Sequence, residues 1–180
     1  MKTSLTYGTA MAIAGAVLTL LLYVAGFHEA PAKLTAARWI GGLGGVAIGA
    51  ACLALAMREK RSLLPADADW GYGSAFGTGA LTSLFGSLIG LVTTYAYFGL
   101  LNPGFGDVLF QAQVAEMEAR GMPAAQIEKI EPMIKMWMSP AALTLTQGVM
   151  GFVFSLILAL IVAIFFRQRP ATPPAPPPAA

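Results

Sequence analysis

Four long apolar runs without a charged residue, separated by charged or glycine- and proline-rich stretches, dominate the pattern of this chain. They cover residues 7–26, 39–57, 74–101 and 141–166. Each is close to or above the roughly 20 apolar residues that carry a helix across a hydrocarbon core about 30 Å thick. None shows the period-two alternation of a barrel strand, and an open strand edge would leave backbone groups unpaired in lipid, so each run predicts a membrane-spanning helix.

Polar residues mark the limits of the runs. Lys2 precedes the first, and His28 and Glu29 follow it, with His28 expected as a solvated boundary residue. The second stops at Arg58, Glu59, Lys60 and Arg61, a cluster that does not enter lipid comfortably. The third ends before the turn signal Asn102, Pro103, Gly104. The fourth follows Ser139 and Pro140, where proline suits a first helical turn, and ends at Arg167 and Arg169. The first run also admits a secretory signal peptide, with Lys2 as its basic region and cleavage after Gly26 or Ala30. Against that reading, its apolar core exceeds the usual length of about 7–15 residues.

Between the third and fourth runs the pattern changes. Over residues 105–138 apolar and charged positions interleave at helical spacing. Val108, Leu109, Phe110, Val114 and Met117 alternate with Gln111, Gln113, Glu116 and Glu118, and Gly121 is a helix terminator. Pro123 can open a second helix with Ile127, Ile130, Ile134 and Trp137 on one face, kinked or broken at Pro132. Glu116 with Arg120, and Glu131 with Lys135, are spaced to pair one turn apart. The expected architecture is therefore all-α: a polytopic membrane four-helix bundle, residues 1–169, carrying an extramembrane amphipathic helical hairpin between spans three and four. The proline- and alanine-rich residues 170–180 predict an extended solvated tail, with a ligand for a proline-binding domain as the other reading.

Composition excludes whole classes of function. Of 180 residues 57% are hydrophobic and 11% charged, with a mean hydropathy of +0.68, which leaves no soluble domain of ordinary size. The net charge of +2 is not gathered into a basic patch, so no nucleic-acid partner is expected. Lys2, then Arg58, Lys60 and Arg61, then Arg167 and Arg169 fall on one side of four spans, which places that side and both termini in the cytoplasm. Residues 102–140 on the other side carry Arg120, Lys129 and Lys135 against Asp107, Glu116, Glu118, Glu128 and Glu131, although Lys33 and Arg38 reduce the asymmetry. Tyr7, Trp70 and Tyr72 on the inner side, and Tyr23, Trp39, Tyr95, Tyr97 and Trp137 on the outer, read as boundary aromatics.

Candidate chemistry is sparse. A single histidine, His28, and a single cysteine, Cys52, offer neither a metal set nor an activated nucleophile, so no metal, cofactor or catalytic residue is expected. Gly41, Gly42, Gly44, Gly45 and Gly49 lack the Lys and Ser or Thr of a phosphate loop. Their four-residue repeat, Gly41, Gly45 and Gly49, makes a smooth stripe that admits another helix, as do Ala75, Gly79, Ser83 and Ser87, and Gly151, Ser155, Ala159 and Ala163. No span holds an ionisable residue, which argues against an ion pump. Thr93, Thr94, Tyr95, Tyr97 and Gln147 either bond between helices or line an outward pocket for a neutral or lipid-like ligand.

Gly71, Tyr72, Ser74, Phe76, Gly77 and Gly79 form a glycine and aromatic entry to the third run. In that motif the chain resembles a family of small four-span bacterial membrane proteins, the domain of unknown function 4199, and the likeness runs from Tyr7 and Gly8 to Arg167. Further on it continues with Asn102, Pro103 and Phe105, with Gly121 followed by Gln126, Ile127 and Glu128, and with Pro140. Where the family often has Asp before the proline this chain has Asn102, and its alanine- and proline-rich composition departs from the usual one. The resemblance implies four spans, an outer helical hairpin and the bacterial inner membrane, and brings no known reaction. Together these readings predict a noncatalytic accessory module in the lipid bilayer that self-associates or binds another membrane protein. The alternative is a small transporter or channel for a neutral or lipid-like solute.

Overall fold

Long uninterrupted apolar runs with stop signals only at their ends give long helices, and the computed structural model, which describes residues 1–65 and 67–167, contains six of them. The tail expected at 170–180 lies outside the described residues. In chain order they are α1 (Lys2–Val24), α2 (Leu34–Ser62), α3 (Tyr72–Ala96), α4 (Phe105–Ala119), α5 (Ala124–Trp137) and α6 (Pro140–Phe166). A single 3-10 turn, Pro31–Lys33, leads into α2, and a π-helical turn, Tyr97–Leu101, extends α3. No strand occurs among the described residues.

The chain is an all-α membrane bundle. Four segments, Lys2–Val24, Pro31–Ser62, Tyr72–Leu101 and Pro140–Phe166, are long and apolar enough to cross a bilayer. Only about a fifth of each is buried within the protein, so side chains such as Val24, Val92 and Phe165 point outward. Apolar surface on that scale is stable against hydrocarbon and not against water.

The bundle is built around α3, which packs along α1 on one side and α6 on the other, while α2 flanks α1 and meets α6. The α1–α3 contact is closest at Gly8 and Gly86. A methyl group on Gly8 would lie 2.8 Å from the Thr82 carbonyl oxygen and 2.9 Å from the Gly86 nitrogen. Hydrogen at both positions lets the two backbones touch, the means by which membrane helices gain dispersion contacts that Leu-sized side chains would prevent. α1 is therefore a packed member of the bundle.

The two ends differ. At the basic end, near Arg58 to Arg61, Leu53, Met57, Trp70, Ala75, Ala159, Val162 and Ala163 form a closed core. Trp70, expected at the boundary, is only 3% exposed, and its indole Nε1 donates to the Phe166 carbonyl at 2.9 Å. The reason is local: the α2–α3 connection folds the indole over the last turn of α6, whose carbonyls have no helical donors of their own. Tyr72 donates to the Leu160 carbonyl at 3.1 Å, and Tyr7 to Glu59 at 2.7 Å.

At the other end, the hairpin end, α4 and α5 sit over the bundle. Gly121, with φ of 79°, ends α4 with the Met122 N–H reaching back to the Met117 carbonyl at 3.1 Å, a left-handed cap that glycine takes without strain. Ile127 and Ile134 are buried, while Met133, Met136 and Trp137 are exposed. Arg120 pairs with Glu116, and Lys135 with Glu131 at 2.7 Å, both at four-residue spacing. Pro132 does not break α5, which runs from Ala124 to Trp137 through it; loss of one N–H donor in a short surface helix is outweighed by the anchoring of Ile127 and Ile134 on either side.

Candidate functional site

The small residues of α2 and α6 do not all meet partners. At the basic half Gly49 lies against Leu158, whose Cδ2 would be 3.1 Å from an added methyl, and Gly79 faces Met57 and Ala159. Ser83 and Ser155 share a hydrogen bond of 2.7 Å, buried between α3 and α6. Toward the hairpin end the two helices part: Gly45 on α2 and Gly151 on α6 have nothing within 4 Å, and both are exposed. α2 stays on α1 there through Gly41 with Leu22 and Gly44 with Leu18, and α6 stays on α3 through Gly148 with Leu91. The result is a cleft with α1 and α3 as its back wall, closed below by the Gly49–Leu158 contact and open at the side between α2 and α6.

The cleft has a volume of about 1230 Å³, above the roughly 300–1,000 Å³ of ordinary small-molecule pockets. Its walls are mostly glycine and aliphatic side chains, including Gly41, Gly45, Gly49, Gly86, Gly90 and Gly151. Polar residues along it include Thr19, Arg38, Ser87, Thr93, Thr94, Gln147 and Ser155. Among the described residues, Arg38, Thr94 and Gln147 have no side-chain hydrogen bond or ion pair with another residue. Thr93 is bound locally, to the Gly90 carbonyl at 3.1 Å.

Next to the cleft, and sharing Thr19, Leu22, Arg38, Gly41, Gly42, Tyr97, Phe98 and Gln147 with it, is a smaller chamber of about 410 Å³ beneath α4. Its roof is an aromatic cluster at which α1, α2, the π-helical turn and α4 converge. Tyr97 and Phe98 come from the π-helical turn, Phe105 from the start of α4, Leu34 from the start of α2 and Tyr23 from the end of α1. Phe98 stacks on Phe105 with ring centres 5.5 Å apart, and Tyr23 meets Tyr97 edge-on at 5.9 Å. π-Helical turns insert one residue and re-aim the side chains that follow; here Tyr97 and Phe98 point inward while Leu100 and Leu101 point out.

His28 belongs to this cluster, contrary to the expectation of a solvated boundary residue: it is 8% exposed. Gly26, with φ of 73°, closes α1 with the Phe27 N–H bonded to the Leu22 carbonyl at 2.9 Å, and that turn swings His28 back under the cap. Its Nδ1 lies 2.5 Å from the Tyr97 hydroxyl, and its ring is 4.9 Å from that of Phe105. Asn102 Nδ2 donates to the same hydroxyl at 3.0 Å. Burial lowers the pKa of His28 below its ordinary value.

Of the residues singled out as a polar pocket, Thr93, Thr94, Tyr97 and Gln147 line the cleft. Tyr95 does not; it is 53% exposed on the outer side of α3. Tyr97 is a buried member of the aromatic cluster. Of the small-residue positions, Gly49, Gly79, Ser83, Ser155 and Ala159 pack within the chain, whereas Gly45, Ser87 and Gly151 face the cleft and Gly41 touches Leu22 beside it. Arg38, His28, Phe98 and Phe105 were not among the expected site residues. Arg38 carried one signal, a charge a few residues inside an otherwise apolar helix.

Among the described residues no group of three or more His, Cys, Asp or Glu could hold a metal ion. A family model described as a protein of unknown function, DUF4199, matches residues 6–168. Comparison with curated proteins and with solved structures gives no match.

Proposed function

The chain belongs to the DUF4199 family of proteins of unknown function, and from its geometry we propose that it is a noncatalytic membrane module that holds a lipid-like amphiphile in the cleft between α2 and α6. One observation carries this reading: Gly45 and Gly151, the small residues that would bring two helices into contact, instead face open space within a cavity of about 1230 Å³. A void of that size left empty would forfeit the dispersion contacts of all its walls, and hydrocarbon chains are the material at hand in a bilayer.

The walls suit such an occupant. Apolar along most of their length, they would take acyl or isoprenoid chains, and Thr94 and Gln147 offer hydrogen bonds that no other described residue satisfies. The lateral opening lets a molecule enter from the bilayer without crossing water. With the basic end cytoplasmic by the positive-inside rule, the cleft opens into the outer leaflet of the bacterial inner membrane, and the α4–α5 hairpin lies on its outer surface. The binding role draws on the shape and apolar lining of the cleft. The same opening could instead receive a helix from a second copy or another membrane protein, and the test separates the two.

The test is native mass spectrometry of the protein extracted in mild detergent, for the wild type and for Gly45→Leu and Gly151→Leu, which fill the cleft without touching the α2–α6 contact below it. The expected result is a retained lipid-mass adduct on the monomer that both substitutions remove while thermal unfolding stays cooperative. A monomer without adduct in the wild type, or adducts indifferent to both substitutions, would overturn the reading. A dimer lost in both variants would reassign the cleft to a helix.

A further inference from the structure

Resting on the reading of the cleft as an amphiphile site, we propose that its occupant is an anionic phospholipid whose phosphate is held by Arg38. Among the described residues, the cleft and the adjoining chamber are lined by one permanently charged side chain, Arg38, and by no carboxylate. Arg38 is exposed and forms no ion pair with a described carboxylate, so its charge is available to an anion at the mouth of the cavity. A guanidinium presents a planar fork of donors that matches phosphate oxygens and is less strongly hydrated than an ammonium.

Depth along the helices arranges the polar groups in the order a phospholipid requires. Arg38 is four residues beyond Leu34, the start of α2, or about 6 Å along its axis. Gln147 is seven residues beyond Pro140, the start of α6, about 10 Å along. Gly45 and Gly151 each lie eleven residues from those starts, about 16 Å along. Cation, then neutral amide, then bare glycine backbone correspond to phosphate, glycerol ester and acyl chain. Trp39, next to Arg38 and 68% exposed, sits at the depth where indoles accumulate at membrane boundaries.

The experiment uses the full chain in nanodiscs of phosphatidylcholine alone or of phosphatidylcholine with phosphatidylglycerol, with bound lipid identified by native mass spectrometry after release. Phosphatidylglycerol should be enriched over its share of the disc, Arg38→Gln should lower that enrichment about fivefold, the worth of one Arg near an anionic surface, and Arg38→Lys should restore part of it. Added inorganic phosphate should leave the enrichment unchanged. If both lipids are retained equally and Arg38→Gln changes nothing, the charge selection is wrong while the cleft remains a lipid site. If no lipid is retained from either disc, both fall. If inorganic phosphate displaces the bound lipid or its preference, the arginine serves a free anion and the proposal fails.

Discussion

The hydroxyl of Tyr97 accepts a hydrogen bond from Asn102 Nδ2 at 3.0 Å and stands 2.5 Å from His28 Nδ1. Burial favours the neutral imidazole, and in the tautomer with its hydrogen on Nε2 the ring accepts the Tyr97 proton at Nδ1. The bond joins the α1–α2 connection to the π-helical turn across 69 residues of sequence and fixes the roof of the chamber.

Acidification should loosen this end of the bundle. Burial depresses the pKa of folded His28 below the 6.5 of the unfolded chain, so its contribution is complete above about 6.5 and is lost as pH falls from there through the depressed folded value. Thermal unfolding in detergent micelles should therefore show a midpoint that drops on the acidic side of that value. In His28→Gln the drop should be absent, because His28 is the sole histidine of the chain. A wild-type midpoint flat across that range would contradict the assigned protonation.

Removing the Tyr97 hydroxyl strands two partners at once. Tyr97→Phe keeps the ring packing of the cluster but leaves His28 and Asn102 without their shared acceptor and donor, a cost of about 1–3 kcal/mol for buried polar groups. Equilibrium unfolding in mixed micelles should register it, and hydrogen exchange should rise at the start of α4 rather than at the basic end. Uniform exchange along the chain would mean the cluster is not a separate cooperative unit.

The crossing of α1 and α3 depends on a single hydrogen atom. Gly8→Ala would drive a methyl into the Thr82 carbonyl and the Gly86 nitrogen, backbone atoms that cannot rotate away, and should cost about 1–3 kcal/mol as overpacking does elsewhere. Gly15→Ala, on the same helix with nothing within 4 Å, should stay within about 0.5 kcal/mol of wild type. Equal effects at the two positions, read by the same unfolding assay, would show that helix propensity and not contact governs α1.

The Ser83–Ser155 bond should matter less than its burial suggests. Ser83→Ala removes one partner of a 2.7 Å bond, yet hydrogen bonds between membrane helices average only about 0.6 kcal/mol. Ser83→Leu, at a position with no exposed surface, should instead separate α3 from α6 and abolish cooperative unfolding. A tolerated leucine would mean that the α3–α6 contact is looser than the structure shows.

How far the residues alone foretell this molecule depends on the range of the forces involved. The membrane helices are legible because hydrocarbon imposes one requirement, apolarity with internal backbone pairing, along the whole of each run. Gly121 and Pro140 act within a few residues and mark their helix ends accordingly. The stripes were legible as smooth faces, but spacing cannot reveal what stands opposite: Gly49 and Gly45 are one turn apart, and the first meets Leu158 while the second meets nothing. Gly8 and Gly86 escape notice because neither was part of a repeat singled out in its own helix. His28 misleads for the same reason, since its neighbours in sequence are those of a boundary residue and its burial is created by Tyr97 and Phe105.

Trp70 ties the α2–α3 connection to Phe166 at one end, while Gly45 and Gly151 face open space toward the other. The two halves of the bundle therefore answer lateral pressure differently. Compression of the surrounding monolayer would do mechanical work on the gap between two helices at the parted half and meet a fastened assembly at the other. Whatever fills the gap bears that load.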